Sequence, residues 1–573
     1  MSYLSEHLNQ PEGRWMRDCI LILLLFGALF LGGLGSAPLI DPDEGRYAEI
    51  PREMLERNDF VTPTLNYVKY FEKPPLLYWL NAGSMRLLGQ NEFAARLPSA
   101  LAGILIILAT YGTGRMLFNR RTGVLGAMIL GSSVGFLMQG RIILTDMVLT
   151  GCLTTALFCF LLAIRPGTKT KLLFFYLFFI FCGLSVLTKG LIGMVLPAGI
   201  IFWFLLVGKR WHLLREIPWF SGLLIFFLVT SPWFVLVSLS NPEFPHFFFI
   251  HEHFQRYTST IHHRNQPFWF FLPILLLVML PWSFFFPASL VNAWKDRFKY
   301  DGATLFLLIW PLVIIFFFSL SSSKLIPYIL PTMPPLALLI AQRCSNGWLQ
   351  RLSPLHAGTL VLALLLISAG TALVLLPLLP TLKPFFLNSG QLARQLADLL
   401  YGPKPVLTVP VMTSTGLALA VPGLILLLLR QARSTLLLVT FLCTFGILLE
   451  LILPAMFTRY AAPRLSPRML ALAVRTYATP QTSLAQMGPQ QGMNFYTGKR
   501  LITVGDADEL SFGSRQGDQS SWFMSKEQFS QFWQSDHHIM IVLKRHETDQ
   551  LTSLSTPSRI LSDNGSLVLL SNR

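Results

Sequence analysis

The chain has 573 residues, of which 53% are hydrophobic and only 13% charged, with a mean hydropathy of +0.54. A soluble globular protein of this length is not so apolar, so the bilayer is the solvent for most of the chain. The formal net charge of +16 would suit nucleic acid, but Lys and Arg sit in short loops between apolar runs rather than along one stripe. That is the pattern of membrane topology and of contact with anionic lipid headgroups, and it argues against a nucleic-acid partner.

Apolar runs long enough to cross roughly 30 Å of hydrocarbon as helices predict thirteen spans. In chain order they lie near 18–39, 97–117, 122–139, 146–164, 171–187, 191–207, 218–238, 268–288, 303–320, 325–342, 356–379, 408–429 and 434–454. Residues 14–37 resemble a signal peptide in outline, with Arg14, Arg17, an apolar stretch and small residues, but read as an uncleaved first helix because later loops fix the same orientation. Arg115, Arg120 and Arg121, then Arg165, Lys169 and Lys171, then Lys209, Arg210 and Arg215 fall on one side of such a bundle. Lys295, Arg297 and Lys299, then Arg343 and Arg351, then Arg430 and Arg433 join them. By the positive-inside rule that side is cytoplasmic, with the N-terminus inside and the tail after about 455 outside. The six cysteines lie in apolar runs or in an inside loop, so no disulfide framework is expected.

The outside loops differ in kind. One runs from 41 to 96, another from 239 to 267, and long loops usually have a function. The chain therefore divides into a membrane domain, 1–454, and a segment, 455–573, that is richer in Gln, Ser, Asp and Gly. Strand-like pieces at 500–504, 539–543 and 566–570 mark that segment as a small α/β domain outside the membrane.

The chemistry-bearing residues collect on the outer face. Asp41, Asp43 and Glu44 follow the first span directly, with Arg46 beside them. An acid there can orient or deprotonate an acceptor, stabilise positive charge on a sugar ring or hold a metal, while the plainer reading is a helix cap in solvated interfacial charge. Glu72 and Lys73 precede Pro74-Pro75 and a re-entering apolar run. A lysine at that depth suits a lipid phosphate, or simply snorkels. His251 and His253 are two apart, which places them on one face of an extended segment but not of a helix. With Glu72 or Asp146 they would suit a divalent ion such as Zn, and otherwise they are polar residues of an aromatic loop. Arg256, Lys324 and Tyr328 share the same rim, where cations and a phenol hydroxyl can take a phosphate leaving group, although Tyr328 also suits an aromatic belt.

Several segments resemble one family: Asp43-Glu-Gly-Arg46-Tyr-Ala-Glu-Ile, Tyr70-Phe-Glu72-Lys73-Pro, Arg141-Ile-Ile-Leu-Thr-Asp146, His251-Glu-His-Phe-Gln-Arg256 and Ser323-Lys324-Leu-Ile-Pro-Tyr328. In the last domain Phe495-Tyr-Thr-Gly-Lys-Arg500 and Glu509-Leu-Ser-Phe-Gly also match. Together they are similar to the bacterial lipid A aminoarabinose transferases, GT-C glycosyltransferases related to the protein O-mannosyltransferases. The resemblance implies an α-helical polytopic membrane protein of about thirteen spans with a small periplasmic α/β domain. It implies transfer of 4-amino-4-deoxy-L-arabinose from undecaprenyl phosphate to lipid A phosphates at the inner membrane, with resistance to polymyxin and other cationic peptides as the consequence. Asp43 would be the catalytic acid positioned by Arg46, with Asp146 as a second acid. Lys73, Arg256, Tyr328 and Lys324 would bind the lipid phosphate, and Glu72 with His251 or His253 would hold Zn. The enzyme would work as a monomer.

A related transferase of another polyprenyl-linked sugar to lipid A, glycan or protein shares these motifs. A lipid flippase or transporter shares the spans, but places its ionisable groups near the bilayer midplane on broken or repeated helices. Here they gather at the outer ends of spans, and no internal repeat is present.

Overall fold

The computed structural model describes residues 14–255, 266–346, 353–376, 409–432, 434–548 and 558–573. Each of the thirteen apolar segments contains helix, from Trp15–Leu31 to Thr435–Met456. They do not form thirteen straight spans. Among the described residues, eight helices are individually long and apolar enough to cross a membrane, and two bent pairs raise the number to ten.

The bends correct two predicted spans. The segment at 122–139 is Arg120–Gly131 followed by Val134–Gly140 at 67°, and that at 268–288 turns by 109° between Phe268–Val278 and Trp282–Lys295. At the first bend the hydroxyls of Ser132 and Ser133 donate to the carbonyls of Met128 and Ile129, the back-bonding that bends helices. At the second stands Pro281, which has no N–H to continue a helical ladder. The helices Glu92–Leu117 and Arg120–Gly131 cross where a Cβ on Gly123 would lie 2.5 Å from the Tyr111 carbonyl oxygen. Only glycine permits that approach, and small residues are what let apolar helices pack within a bilayer.

Charged groups tie together the loops at one end of the bundle. Asp18 accepts from Arg120 at 2.6 and 2.7 Å and from the Tyr111 hydroxyl at 2.9 Å. Lys171 pairs with Glu216, and Arg210 donates to the Asp301 carbonyl. These are loops that the pattern of positive residues assigns to one side.

At the other end, the first long loop forms the Asp43–Arg57 helix, a hairpin of β1 (Thr64–Leu65) and β2 (Val68–Lys69), and the Leu76–Leu88 helix. The hairpin turns on Asn66 and Tyr67, both at positive φ, as a two-residue turn of matching twist requires. The last membrane helix runs on through short turns into Arg468–Tyr477 and then into a six-stranded sheet. Its strands are β3 (Ser483–Met487), β4 (Ile502–Val504), β5 (Phe523–Met524), β6 (Ile539–Lys544), β7 (Arg559–Asp563) and β8 (Leu567–Ser571), in the order β5-β4-β3-β6-β8-β7. The first four are parallel, and β8 runs antiparallel between β6 and β7. Ile539 to Leu543 in β6 are all buried, as expected of a central strand covered on both faces. The predicted strand-like pieces fall on β4, β6 and β8.

Candidate active site

The three acids that follow the first span have three different partners. Glu44 is buried and receives a two-pronged ion pair from Arg96, at 2.7 Å from both Nε and Nη2. Arg96 also donates to the carbonyls of Leu34, Ala37 and Pro38, and Glu44 accepts from the backbone N–H groups of Ile40 and Ile143. Glu44 therefore pins the loop to the bundle. Asp41 accepts from the backbone N–H of Gly492 at 2.8 Å, in the C-terminal domain. Burial and the nearby Glu509 and Glu44 push its pKa up to about 7, against the Gly492 bond. Asp43 alone stays open, its side chain 51% exposed and its carboxylate paired to Arg46.

Arg46 joins the two halves of the site. Its guanidinium pairs with Asp43 on one side and with Glu509 on the other, and donates to the Tyr70 hydroxyl at 3.3 Å. Burial lifts Glu509 above the usual carboxylate range, and Arg46 opposes that lift. The Tyr47 ring lies 4.9 Å from the Arg46 guanidinium carbon. Burial raises the Tyr47 phenol and keeps it protonated, and the charges of Arg46, Asp43, Glu72 and Asp146 all act on it. One buried ring is thus within the field of four of the predicted site residues.

Glu72 is half-buried, and its charge also acts on Arg46, Tyr70 and Glu509. Lys73 donates to the Glu72 carbonyl at 2.9 Å. Asp146 opens the Thr145–Ala163 helix, where the helix dipole favours an anion, and pairs with Lys189 at 2.6 Å. The Lys189 ammonium lies 4.4 Å over the Tyr328 ring, so Tyr328 meets the cluster through its face. Lys324 is buried, and burial lowers its pKa. Among the described residues it donates to the carbonyls of Ser321 and Gln266 at 2.6 and 3.0 Å, which uses two of its three N–H donors.

The histidine loop takes a helical form. Residues His246–Gln255 are a π-helix rather than an extended segment, and a helix does not bring positions two apart onto one face. The side chains of His251 and His253 lie outside the described residues, as does Arg256 altogether. Among the described residues no group of three His, Cys, Asp or Glu side chains is placed to hold a metal ion. Of the predicted Zn ligands, only Glu72 has a described side chain.

Glu509, Tyr70 and Lys189 are additions to the predicted set. Sequence offered signals for all three: Glu509 opens one of the motif segments, Tyr70 starts another, and Lys189 sits at an outer helix end. Their partners are visible only in three dimensions.

The C-terminal domain is docked closely enough to keep Glu509 in place. Asn66 donates to the Leu501 carbonyl at 2.9 Å, and its side-chain oxygen accepts from Asn494 and from the Leu501 N–H at 2.8 and 2.9 Å. Gly45 meets Gly492 so tightly that a Cβ on Gly45 would stand 2.4 Å from the Gly492 nitrogen.

The dolichyl-phosphate-mannose-protein mannosyltransferase family matches residues 17–248, and the aminoarabinose transferase C-terminal domain matches residues 470–572. Arg46 belongs to the first match and Glu509 to the second. The crystal structure of ArnT from Cupriavidus metallidurans bound to undecaprenyl phosphate superposes with a TM-score of 0.82 at 27% identity, covering 97% of this chain and 98% of that one. The chain is thus similar to aminoarabinose transferases in both matched regions and in its fold. Curated relatives are named undecaprenyl phosphate-alpha-4-amino-4-deoxy-L-arabinose arabinosyl transferase. That of Pectobacterium carotovorum is 37% identical over 337 residues, 58% of this chain and 59% of the relative. That of Aeromonas salmonicida is 36% identical over 321 residues, 56% of this chain and 58% of the relative. The matched stretch thus spans less than two thirds of these relatives' length. The archaeal oligosaccharyltransferase AglB from Archaeoglobus fulgidus is similar in fold alone, at a TM-score of 0.54 and 13% identity, covering 94% of this chain and 70% of that one.

Proposed function

We propose that this protein transfers 4-amino-4-deoxy-L-arabinose from undecaprenyl phosphate to the phosphates of lipid A, on the periplasmic face of the inner membrane. The N-terminus would be cytoplasmic, the C-terminal domain periplasmic and the working unit a monomer. Masking lipid A phosphates removes negative charge, which is how such a transfer protects against polymyxin and other cationic peptides. The observation that carries this reading is the Asp43–Arg46–Glu509 chain of ion pairs, which joins the two family-matched regions at the end of the bundle where the acids and cations gather.

The residues fit the reaction. A lipid A phosphate is anionic near neutral pH, so its oxygen attacks the sugar C1 without a strong general base. The C1–O bond to undecaprenyl phosphate breaks as the new C1–O bond forms, and the departing phosphate keeps the electron pair. Positive charge grows on the sugar ring in between, and Asp43, exposed and oriented by Arg46, is the carboxylate available to stabilise it. Two phosphates of like charge must approach each other, so cations govern the barrier. Lys73, Arg256 and Lys324, with the Tyr328 hydroxyl, are assigned to the donor phosphate. Asp146 is held by Lys189 as the second acid. A Zn ion at Glu72 and one loop histidine would orient this region when bound, and no step of the transfer depends on it.

The test is direct. Purified protein supplied with the aminoarabinose-charged undecaprenyl phosphate and lipid A should add one aminopentose to lipid A, read by mass spectrometry. Unmodified lipid A under conditions where the donor is bound would overturn the proposal. Metal content of wild type and Glu72→Ala, measured by elemental analysis, tests the Zn assignment: equal content in both overturns it.

A further inference from the structure

A second site lies in the C-terminal domain. In the parallel part of the sheet, β3 and β6 are neighbours, but the chain leaves β3 towards β4 on one side and leaves β6 towards β7 and β8 on the other. The crevice outside the carboxyl ends of two such strands is where open α/β sheets bind ligands, because the diverging connections leave a gap there. A cavity of about 860 Å³ occupies this place, lined by Gly488–Gln490 after β3 and by Lys544, Arg545 and His546 at the end of β6. Asp506 and Asp508, beyond β4, form a further wall. Asp41, from the first outer loop, and Arg464, from the turns that follow the last membrane helix, complete the wall.

The lining is suited to one chemical class. Arg464, Lys544, Arg545 and His546 offer donors and positive charge, with Arg545 also paired to Asp563 at 2.9 Å. Asp506 and Asp508 oppose them with acceptors suited to hydroxyl or amino groups. The volume is far more than a lone phosphate needs and lies within the range of pockets that take whole small ligands. A phosphorylated amino sugar meets all three conditions. The cavity also neighbours the candidate active site along the chain, since Asp41 on its wall is two residues from Asp43, and Asp508 adjoins Glu509.

We propose that this switch-point cavity binds the phosphorylated glucosamine headgroup of the acceptor lipid, so that the C-terminal domain presents the acceptor phosphate to the site around Asp43. This assignment rests on the transferase reading above. The probe is the deacylated, doubly phosphorylated glucosamine disaccharide, titrated into the full-length protein in nanodiscs without donor. Saturable binding is expected in the wild type. The Lys544→Glu/His546→Ala double variant, which leaves Asp43, Arg46 and Glu509 in place, should bind at least about ten-fold more weakly, since each charge-assisted contact contributes on that order. Undecaprenyl phosphate affinity should be the same in both proteins, which also reports that the variant is folded. Equal disaccharide affinity in wild type and variant, or no saturable binding in wild type, overturns the site. Inorganic phosphate competing with equal affinity overturns the saccharide part of the assignment. If the disaccharide binds as expected but lipid A gains no sugar, the transferase reading falls and the pocket stands. If lipid A is modified while the variant binds and reacts like wild type, the pocket falls and the reaction stands.

Discussion

The ion pair between Arg46 and Glu509 makes a quantitative demand. The two side chains are 10% and 12% exposed, so each depends on the other for compensation of its charge. Truncating one partner of a buried pair costs about 3–5 kcal/mol, because the other charge is stranded. Arg46→Ala should therefore be severe, stranding Glu509 and releasing Asp43 together. Glu509→Gln keeps the shape and loses the charge, and should cost less. The double variant should cost less than the sum of the two, with a coupling of about 1–3 kcal/mol, equivalent to about 5- to 150-fold in rate. The assay is the rate of aminopentose addition to lipid A for the four proteins. Limited proteolysis of the 455–480 junction, run in parallel, shows whether the C-terminal domain stays docked. Additive effects on the rate, or a Glu509→Gln protein that matches wild type in both assays, would refute the claim that the pair positions Asp43.

Asp43→Asn should abolish transfer while the protein still inserts in membranes and binds undecaprenyl phosphate; retained turnover removes Asp43 from the reaction. Lys189→Met should damage transfer more than the Asp146→Asn/Lys189→Met double variant, because the single change strands a buried carboxylate; the reverse order in the same rate assay would contradict the pairing. Asp41 has a folded pKa of about 7 against an ordinary value of 3.8. Between those values the folded state keeps a proton that the unfolded state has released, so this group makes stability fall as pH rises. From pH 5 to 8 the loss is at most about 2–3 kcal/mol. Asp41→Asn keeps an acceptor for Gly492 and should lack this slope in thermal unfolding followed by tryptophan fluorescence; parallel pH profiles for the two proteins would rule the burial argument out.

The membrane part was legible because a bilayer imposes length and apolarity on each crossing segment, and the helices found at all thirteen segments show that signal. The bends were not legible in the same way. A hydropathy window averages over Ser132, Ser133 and Pro281, and it is their hydrogen-bonding chemistry that bends the chain. The local form of the histidine loop was not legible for a related reason: an aromatic run of this kind fits an extended segment or a helix equally well, and Phe244 and Phe248 pack against Trp233 and Val237 in the helical form. In the last domain the apolar stretches of β6 and β8 were readable as strands, but the sheet order that creates the crevice is set by pairing over long separations.

Asp41, Asp43 and Glu44 show where sequence reading of a site stops. Nothing local distinguishes three acids in four positions. Their partners do: Gly492 is 451 residues from Asp41, Arg96 is 52 from Glu44, and Arg46 is three from Asp43. Two acids are thereby committed to holding the loop and the domain, and one remains exposed to reactants. The same long-range contacts bring Glu509 to Arg46. Docking through Asn66 and the Gly45–Gly492 approach buries Glu509 beside Arg46. An undocked domain would leave Glu509 in water and Asp43 as the one acid paired to Arg46, where the guanidinium would neutralise the carboxylate proposed to face the sugar. Docked, Arg46 divides its charge between two acids, and Asp43 retains the negative character that the proposed transfer would use.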